Sequence, residues 1–163
     1  MIQWNSTREQ DLPYLLALWN DGEVMKYVGF PNGLGIDQDE IEIWFSRLQS
    51  KKDRRHFSIY EDDVFVGETF YRVMSDGIAH PDIKITPSAR GKGIAKASLS
   101  FCLDTLFANT EATIAVVDPH QDNEKAIQLY TSLGFERGED TLFEGEVHRL
   151  YTISKEAWLQ RSK

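Results

Sequence analysis

The feature that most constrains the fold of this chain is the segment spanning residues 83–97, in which a strand breaks at Pro87 and glycines precede a helix. Glycine lets the backbone approach a ligand closely, and the first amides of a helix have no partners within it. The helix dipole adds positive potential there, and Arg90 and Lys92 add positive charge. The segment therefore predicts a binding site for phosphate or pyrophosphate where a strand meets a helix.

Two well-known phosphate loops do not fit this segment. A P-loop needs an earlier glycine and a Ser or Thr after its Gly-Lys pair, whereas Gly91-Lys92 is followed by Gly93. The dinucleotide fingerprint needs a third glycine at the position of Lys96, and it follows an early first strand, whereas this segment follows the third central strand. The alternative for the glycines by themselves is a plain turn between a strand and a helix.

Composition narrows the class of protein. A length of 163 residues with 41% hydrophobic residues predicts one globular domain spanning residues 1–163. The net charge of −8 disfavours nucleic acid as a partner, and the sequence shows neither a secretion signal nor an apolar run that could cross a membrane. Cys102 is the single cysteine, and the histidines lack metal-ligand spacing. We therefore expect a cytoplasmic protein without a bound metal, a nucleic-acid partner or a membrane partner.

The order of predicted elements indicates a mixed α/β (α+β) protein without a doubly wound repeat. Four helices are predicted. The first begins at residue 12, the second follows a capping box formed by Asp37 and Glu40, and the others span residues 90–108 and 123–133. Strands are predicted over residues 2–4, 57–60, 64–73, 78–85 and 112–117, near residue 135, and over residues 147–153. This order places the predicted phosphate site after the third central strand.

A second segment gives the first one a more specific meaning. Asn123, Ala126, Tyr130 and the pair Gly134-Phe135 follow the glycine-rich segment at a fixed separation. Together with Arg90-Gly91-Lys92-Gly93-Ile94-Ala95, this pattern resembles the GNAT superfamily of acyl-CoA-dependent N-acyltransferases. The resemblance is sharpest over residues 83–135. It implies a mixed, mostly antiparallel central sheet of about six to seven strands flanked by about four helices.

The resemblance also implies a function, the transfer of an acetyl group from acetyl-CoA directly to a primary amine in a ternary complex. Backbone amides would hold the pyrophosphate, a strand would bind the pantetheine chain, and Asn123 would contact that chain. Tyr130 would act as general acid and protonate the leaving thiolate. The implied cofactor-binding residues are Ile83, Lys84, Ile85, Arg90, Gly91, Lys92, Gly93, Ile94, Ala95 and Asn123.

Several of these roles have structural alternatives. Tyr130 lies in a helical stripe with Ile127 and Leu133, so its ring could simply belong to the core. A general base is also required; His80 and Asp82, on one face of a predicted strand, and Glu68 on the preceding strand are the candidates. The alternative for each of these three is a solvated polar side chain. Cys102 lies in an apolar helix and is expected to be buried and inert.

The acceptor is expected to bind between the loops of residues 19–35 and 138–147, which carry acidic and aromatic side chains. Such groups could line a cleft for a cationic amine, or they could be solvated loop residues. The first loop looks like the branch that includes ribosomal-protein N-terminal, aminoglycoside and polyamine N-acetyltransferases. Two alternatives remain, a catalytically silent acyl-CoA-binding regulatory or interaction module and an enzyme for longer acyl groups. The C-terminal strands could also pair between chains to form a homodimer.

Overall fold

The computed structural model describes residues 1–143 and 145–161. Its centre is one seven-stranded sheet with the strand order β1-β2-β3-β4-β5-β7-β6. Every neighbouring pair is antiparallel except β4 and β5, which are parallel. The strands are β1 (Ile2–Ser6), β2 (Arg54–Glu61), β3 (Val64–Val73), β4 (Ile78–Ile85), β5 (Ile114–Val117), β6 (Glu136–Phe143) and β7 (Glu146–Ser154).

The described residues form six α-helices, and four of these have eight residues or more. Their bounds are α1 (Leu12–Trp19), α2 (Gly22–Met25), α3 (Gln38–Ser50), α4 (Ile94–Asn109), α5 (Glu124–Ser132) and α6 (Lys155–Gln160). The predicted capping box is confirmed, because Asp37 accepts from the amide of Glu40 and Glu40 accepts from the amide of Asp37. The prediction of a mixed, mostly antiparallel sheet of six to seven strands is also confirmed.

Two helix predictions need correction. The helix predicted from Arg90 begins only at Ile94, because Gly91 and Gly93 have φ values of +81° and +79° and cannot continue into it. Helices α2 and α6 were not predicted, since four and six residues are too few to show a helical period. Over residues 1–143 and 145–161, no helix is both long and apolar enough to cross a bilayer.

The register of the central strands determines which side chains share a face. Glu68 lies opposite Lys84, Phe70 opposite Asp82, and Arg72 opposite His80. Trp19 of α1 donates to Glu68, so this face of the sheet lies under α1. Alternate residues of the same strands, such as Tyr71, pack with α4 in the largest core cluster on the other face. The catalytic candidates of β3 and β4 therefore lie on the face opposite α4.

The parallel pair at the centre of the sheet is short. Strand β4 pairs with β5 only through Ile78 with Ile114 and Ala79 with Ala115. Beyond these two positions the strands diverge, and residues 80–85 and 116–118 line a cavity of about 770 Å³. The divergence positions a binding site in the middle of the sheet rather than on its outer surface.

Candidate active site

The glycine-rich loop meets the first turn of α4 beside this cavity. An added Cβ at Gly91 or Gly93 would meet nothing within 4 Å, so the space next to the backbone is open. Ile94 is buried and anchors the first turn of α4 in the core. We call residues 90–95 the anion cradle, because its open backbone and helix N-terminus suit an anionic ligand such as a pyrophosphate.

Charged side chains of the cradle contact neighbouring elements. The guanidinium of Arg90 donates to the carbonyl of Glu23 at 3.2 Å, and the ammonium of Lys92 lies 3.5 Å from Oε1 of Glu61. Arg90 lines the cavity, whereas Gly91, Lys92, Gly93, Ile94 and Ala95 are outside its lining. The cradle thus adjoins the cavity at one end and extends away from it.

The other predicted cofactor-binding residues surround the cavity. Ile83, Lys84 and Ile85 line it from β4, and Asn123 lines it from the start of α5. The side chain of Asn123 caps α5 by accepting from the amide of Ala126 at 3.3 Å. Asn123 therefore has a structural role that explains its presence, in addition to its position at the cavity.

Tyr130 belongs to the core and also lines the cavity. Its ring is 7% exposed, lies 5.5 Å from the ring of Phe135 and belongs to the largest core cluster. Its hydroxyl has no hydrogen-bond partner among the described residues, in which every fully buried side-chain N or O atom does have one. Since Tyr130 lines the cavity, the hydroxyl reaches that space. Burial, followed by the negative charges of Asp82 and Asp118, holds the pKa of Tyr130 well above 10, so the hydroxyl stays protonated.

The predicted bases differ in their surroundings. Asp82 lines the cavity, but its Oδ1 accepts from the amide of Ile83 and its Oδ2 lies 2.7 Å from the ammonium of Lys84. His80 also lines the cavity and is exposed. The structure thus brings Asp82 and His80 to the same cavity as Tyr130.

Glu68 is 1% exposed and does not line this cavity. Its Oε1 accepts from Trp19 and from His56, each at 2.8 Å, and its Oε2 lies 3.5 Å from Lys84. Burial alone would raise the pKa of Glu68, but the charge of Lys84 and the hydrogen bond from His56 lower it to about 2. A carboxylate held in this state is a weak proton acceptor near neutral pH.

Three further residues at the cavity were not predicted from the sequence. Asp118 and His120 follow β5, and His148 belongs to β7; antiparallel pairing of β5 with β7 brings them together. Burial raises the pKa of the Asp118 carboxyl. The sequence does show that each of these polar residues lies in a strand or next to one. It does not show that they meet, because their contacts join positions about 30 residues apart.

The predicted acceptor loops contribute unequally. Glu23 and Tyr27 from the first loop and Phe143 from the late hairpin line the cavity, while Glu139 and Asp140 do not. Glu144 was also expected to face the cleft but lies outside the described residues. A second cavity of about 390 Å³, lined by Trp19 and Trp44, shares Phe70 and Lys84 with the first. The two cavities are therefore neighbours on the face covered by α1.

Among the residues that the structure describes, no group of three or more His, Cys, Asp or Glu side chains could hold a metal ion. Cys102, expected to be inert, is fully buried in the core.

Comparisons with known proteins agree with this geometry. A family model described as an acetyltransferase (GNAT) domain matches residues 5–136. A spermidine N-acetyltransferase from Vibrio cholerae, solved with CoA and spermine, superposes with a TM-score of 0.85 at 20% identity over 98% of each chain. The aminoglycoside acetyltransferase AAC(6')-Ib, solved with coenzyme A, gives a TM-score of 0.82 at 18% identity over 100% of each chain. No curated protein sequence matches the chain.

Proposed function

The chain belongs to the GNAT acetyltransferase family, and we propose that it transfers the acetyl group of acetyl-CoA directly to a primary amine in a ternary complex. As a member of this family it is an acetyl-CoA-dependent N-acetyltransferase. One observation carries the proposal for this chain: the opening between β4 and β5 holds the protonated Tyr130 hydroxyl and adjoins the anion cradle. Acetyl-CoA bound along this opening would have its thioester sulfur near Tyr130 and its pyrophosphate at the anion cradle.

The residues of the opening suit the two ends of acetyl-CoA. Backbone amides of the cradle, from Arg90 to Ala95, would bind the pyrophosphate, because the positions next to Gly91 and Gly93 are open. Beyond Ala79 the edge of β4 no longer pairs with β5, so Ile83, Lys84 and Ile85 would offer backbone groups to the amides of pantetheine. Asn123 would contact the same chain from the start of α5.

Tyr130 is proposed as the general acid. Acetyl-CoA supplies an activated thioester, whose cleavage expels a thiolate that must gain a proton. The Tyr130 hydroxyl can donate this proton because its raised pKa keeps it neutral. It also has no hydrogen-bond partner among the described residues. Its ring is held by the core, so the position of the hydroxyl is fixed before the substrates bind.

The amine must lose a proton before it can attack. Asp82 and His80 are better placed than Glu68 to accept this proton, since they line the same cavity as Tyr130. Asp82 accepts hydrogen bonds from the amide of Ile83 and from the ammonium of Lys84, so part of its negative charge is already balanced. Glu68 is committed to Trp19, His56 and Lys84, and we propose that it supports the sheet face instead.

The acceptor is proposed to be a cationic amine. Five carboxylates and four cationic side chains line the cavity, and the chain carries a net charge of −8. Tyr27 and Phe143 add aromatic surface that favours contact with an ammonium group. Spermidine and aminoglycoside acetyltransferases share this fold, so their amines are suitable first probes. The carboxylates of the lining are Glu23, Asp82, Asp118, Asp122 and Glu124.

The proposal is tested by titrating acetyl-CoA into the purified protein in a calorimeter at fixed salt, followed by a free-thiol assay with spermidine or kanamycin. We expect micromolar binding and thiol release that depends on the amine. Binding without release would contradict acetyl transfer to these amines and favour a silent acyl-CoA-binding module. No binding by the folded protein would contradict the assignment of the cradle.

A further inference from the structure

His148 in β7 has a fixed tautomer. Its Nδ1 lies 2.6 Å from the backbone carbonyl oxygen of Asp118. A carbonyl oxygen can only accept a hydrogen bond, so Nδ1 must carry the hydrogen. In the neutral ring the lone pair is therefore on Nε2, the nitrogen that can take up a proton.

The Nε2 atom of His148 is available from the cavity. The residue is 5% exposed and lines the cavity together with Tyr130. Among the described residues Nε2 has no hydrogen-bond partner, yet every fully buried side-chain N or O atom in this part of the chain has one. Nε2 must therefore be accessible, and the accessible space beside it is the cavity.

The neighbouring His120 shows the opposite arrangement. Its Nδ1 accepts from the amide of Asp122 at 3.0 Å, so its Nε2 carries the hydrogen and donates to Glu146 at 2.9 Å. The rings of His120 and His148 lie 5.4 Å apart, nearly perpendicular, and Phe143 contacts the other side of His148 at 5.5 Å. Of these two neighbouring histidines, only His148 has a ring nitrogen lone pair without a hydrogen-bond partner among the described residues. The third histidine of the lining, His80, is exposed.

We propose that His148 is the general base of the acetyl transfer, accepting a proton from the acceptor's ammonium group at Nε2. This assignment rests on the proposed function. The ammonium gives one proton to Nε2, and the resulting imidazolium releases it to solvent after turnover. As the C–N bond forms and the C–S bond breaks, Tyr130 donates its proton to the departing sulfur. The second proton of the amine nitrogen then passes to the Tyr130 oxygen and restores the hydroxyl. Nδ1 keeps its hydrogen bond to Asp118 throughout.

The surroundings of His148 suit a ring that becomes charged. The side chain of Asp118 is within electrostatic range of both His148 and Tyr130, so a positive ring would face a carboxyl group in the shared cavity. His148 can accept a proton only in its neutral form, so kcat should have an ascending limb with pH that depends on this residue. The charged or titratable groups around this part of the cavity include Asp118, His120, Asp122, Glu146, Asp82, His80 and Tyr130.

The first test is the pH profile of kcat with spermidine or kanamycin as acceptor. In His148→Gln we expect kcat at pH 7 to fall at least about 100-fold and to recover as pH rises, because the amine then loses its proton unaided. The Kd of acetyl-CoA, measured by calorimetry, should change less than about twofold, since a base need not hold the cofactor. His120→Gln is the matched comparison and should keep the ascending limb of the profile, because both nitrogens of His120 are already engaged.

The second test does not depend on turnover. Long-range nitrogen–proton NMR correlations of the free protein at pH 8 should show His148 as the Nδ1–H tautomer and His120 as the Nε2–H tautomer. An Nε2–H tautomer at His148 would overturn the assignment. So would a kcat profile that His148→Gln leaves intact, or one whose ascending limb disappears instead in Asp118→Asn or His80→Asn. Absence of amine-dependent thiol release by the unsubstituted protein would overturn the proposed function, and the base with it.

Discussion

The ammonium nitrogen of Lys84 lies 3.5 Å from Oε2 of Glu68, and both side chains are nearly excluded from solvent. This contact joins β3 to β4 on the face under α1, directly beside the cavity. Because Glu68 also accepts from His56 and Trp19, the pair links β2, β3, β4 and α1 through side chains. A buried charge with this many partners makes stability depend on its ionisation.

Acid should therefore unfold the protein partly through Glu68. Its pKa falls from 4.5 to about 2 on folding, so its contribution is present above pH 4.5 and is lost as pH falls towards 2. We expect it to account for roughly 3 kcal/mol of the decline in unfolding free energy over that range. Urea titrations of Glu68→Gln at a series of pH values should show a flatter decline. Glu136→Gln, at an exposed position of β6, is the control, and an equal slope in the Glu68 variant would contradict the prediction.

Removing the hydroxyl of Tyr130 should slow the chemical step. We expect Tyr130→Phe to lower kcat by about 100-fold or more while acetyl-CoA binding stays within a few-fold, because the ring still fills the core. The raised pKa also predicts that the unsubstituted enzyme shows no decline in kcat from Tyr130 below pH 10. Single-turnover rates and calorimetry separate the two effects. Tyr151→Phe, in the same core cluster but outside the cavity lining, is the control, and equal rates in both variants would rule out the acid role.

Bulk at the anion cradle should block binding of acetyl-CoA. Gly93 has a φ of +79° and open space beside it, so Gly93→Val would strain the backbone and fill that space. Gly77 has a φ of +83° and is also open, but it lies in the turn between β3 and β4. Both valine variants should lose at least about 1–2 kcal/mol of stability. Only the variant at Gly93 should lose binding by calorimetry; equal affinity in the two would contradict the pyrophosphate assignment.

Cys102 should be unreactive in the folded protein. It is fully buried, and burial raises the pKa of its thiol to about 12, so almost no thiolate is present at neutral pH. A disulfide reagent such as DTNB should label it only after urea unfolds the chain. Cys102→Ala should keep kcat and cost about 1 kcal/mol of stability. Rapid labelling of the native protein, or loss of turnover in the variant, would show that the thiol is accessible or takes part in the reaction.

The elements with local signals were predictable from the sequence. The cradle was predicted from Gly91 and Gly93 beside the strand end at Pro87, and Tyr130 was selected because its spacing to Asn123 and Gly134 resembles the GNAT pattern. Each of these signals lies within about a dozen residues of chain. The strands of the β2–β3 hairpin and β4 were predictable for the same reason, since alternation and turns are short-range patterns.

Contacts between distant segments were not predictable. Glu68 looks like a solvated residue within a strand, but α1 covers it and Trp19 donates to it from 49 residues away. The match of His148 with Asp118 depends on β7 lying beside β5 rather than next to β4. A single sequence does not specify the order of strands in a sheet, so the tautomer that distinguishes His148 from His120 could not be inferred.

The parallel pairing of β4 with β5 covers only two residue pairs, so backbone hydrogen bonds join the two parts of the sheet over a short length. One part contains β1 to β4 and the other contains β5, β7 and β6. Beyond Ala79 and Ala115, β4 and β5 are not paired by backbone hydrogen bonds. Residues of α4 and α5 pack in one core cluster with residues from both parts of the sheet, so this packing sets how the two parts are oriented. A change of volume at Leu103, which is buried in this cluster and does not line the cavity, is therefore expected to alter the width of the opening between β4 and β5.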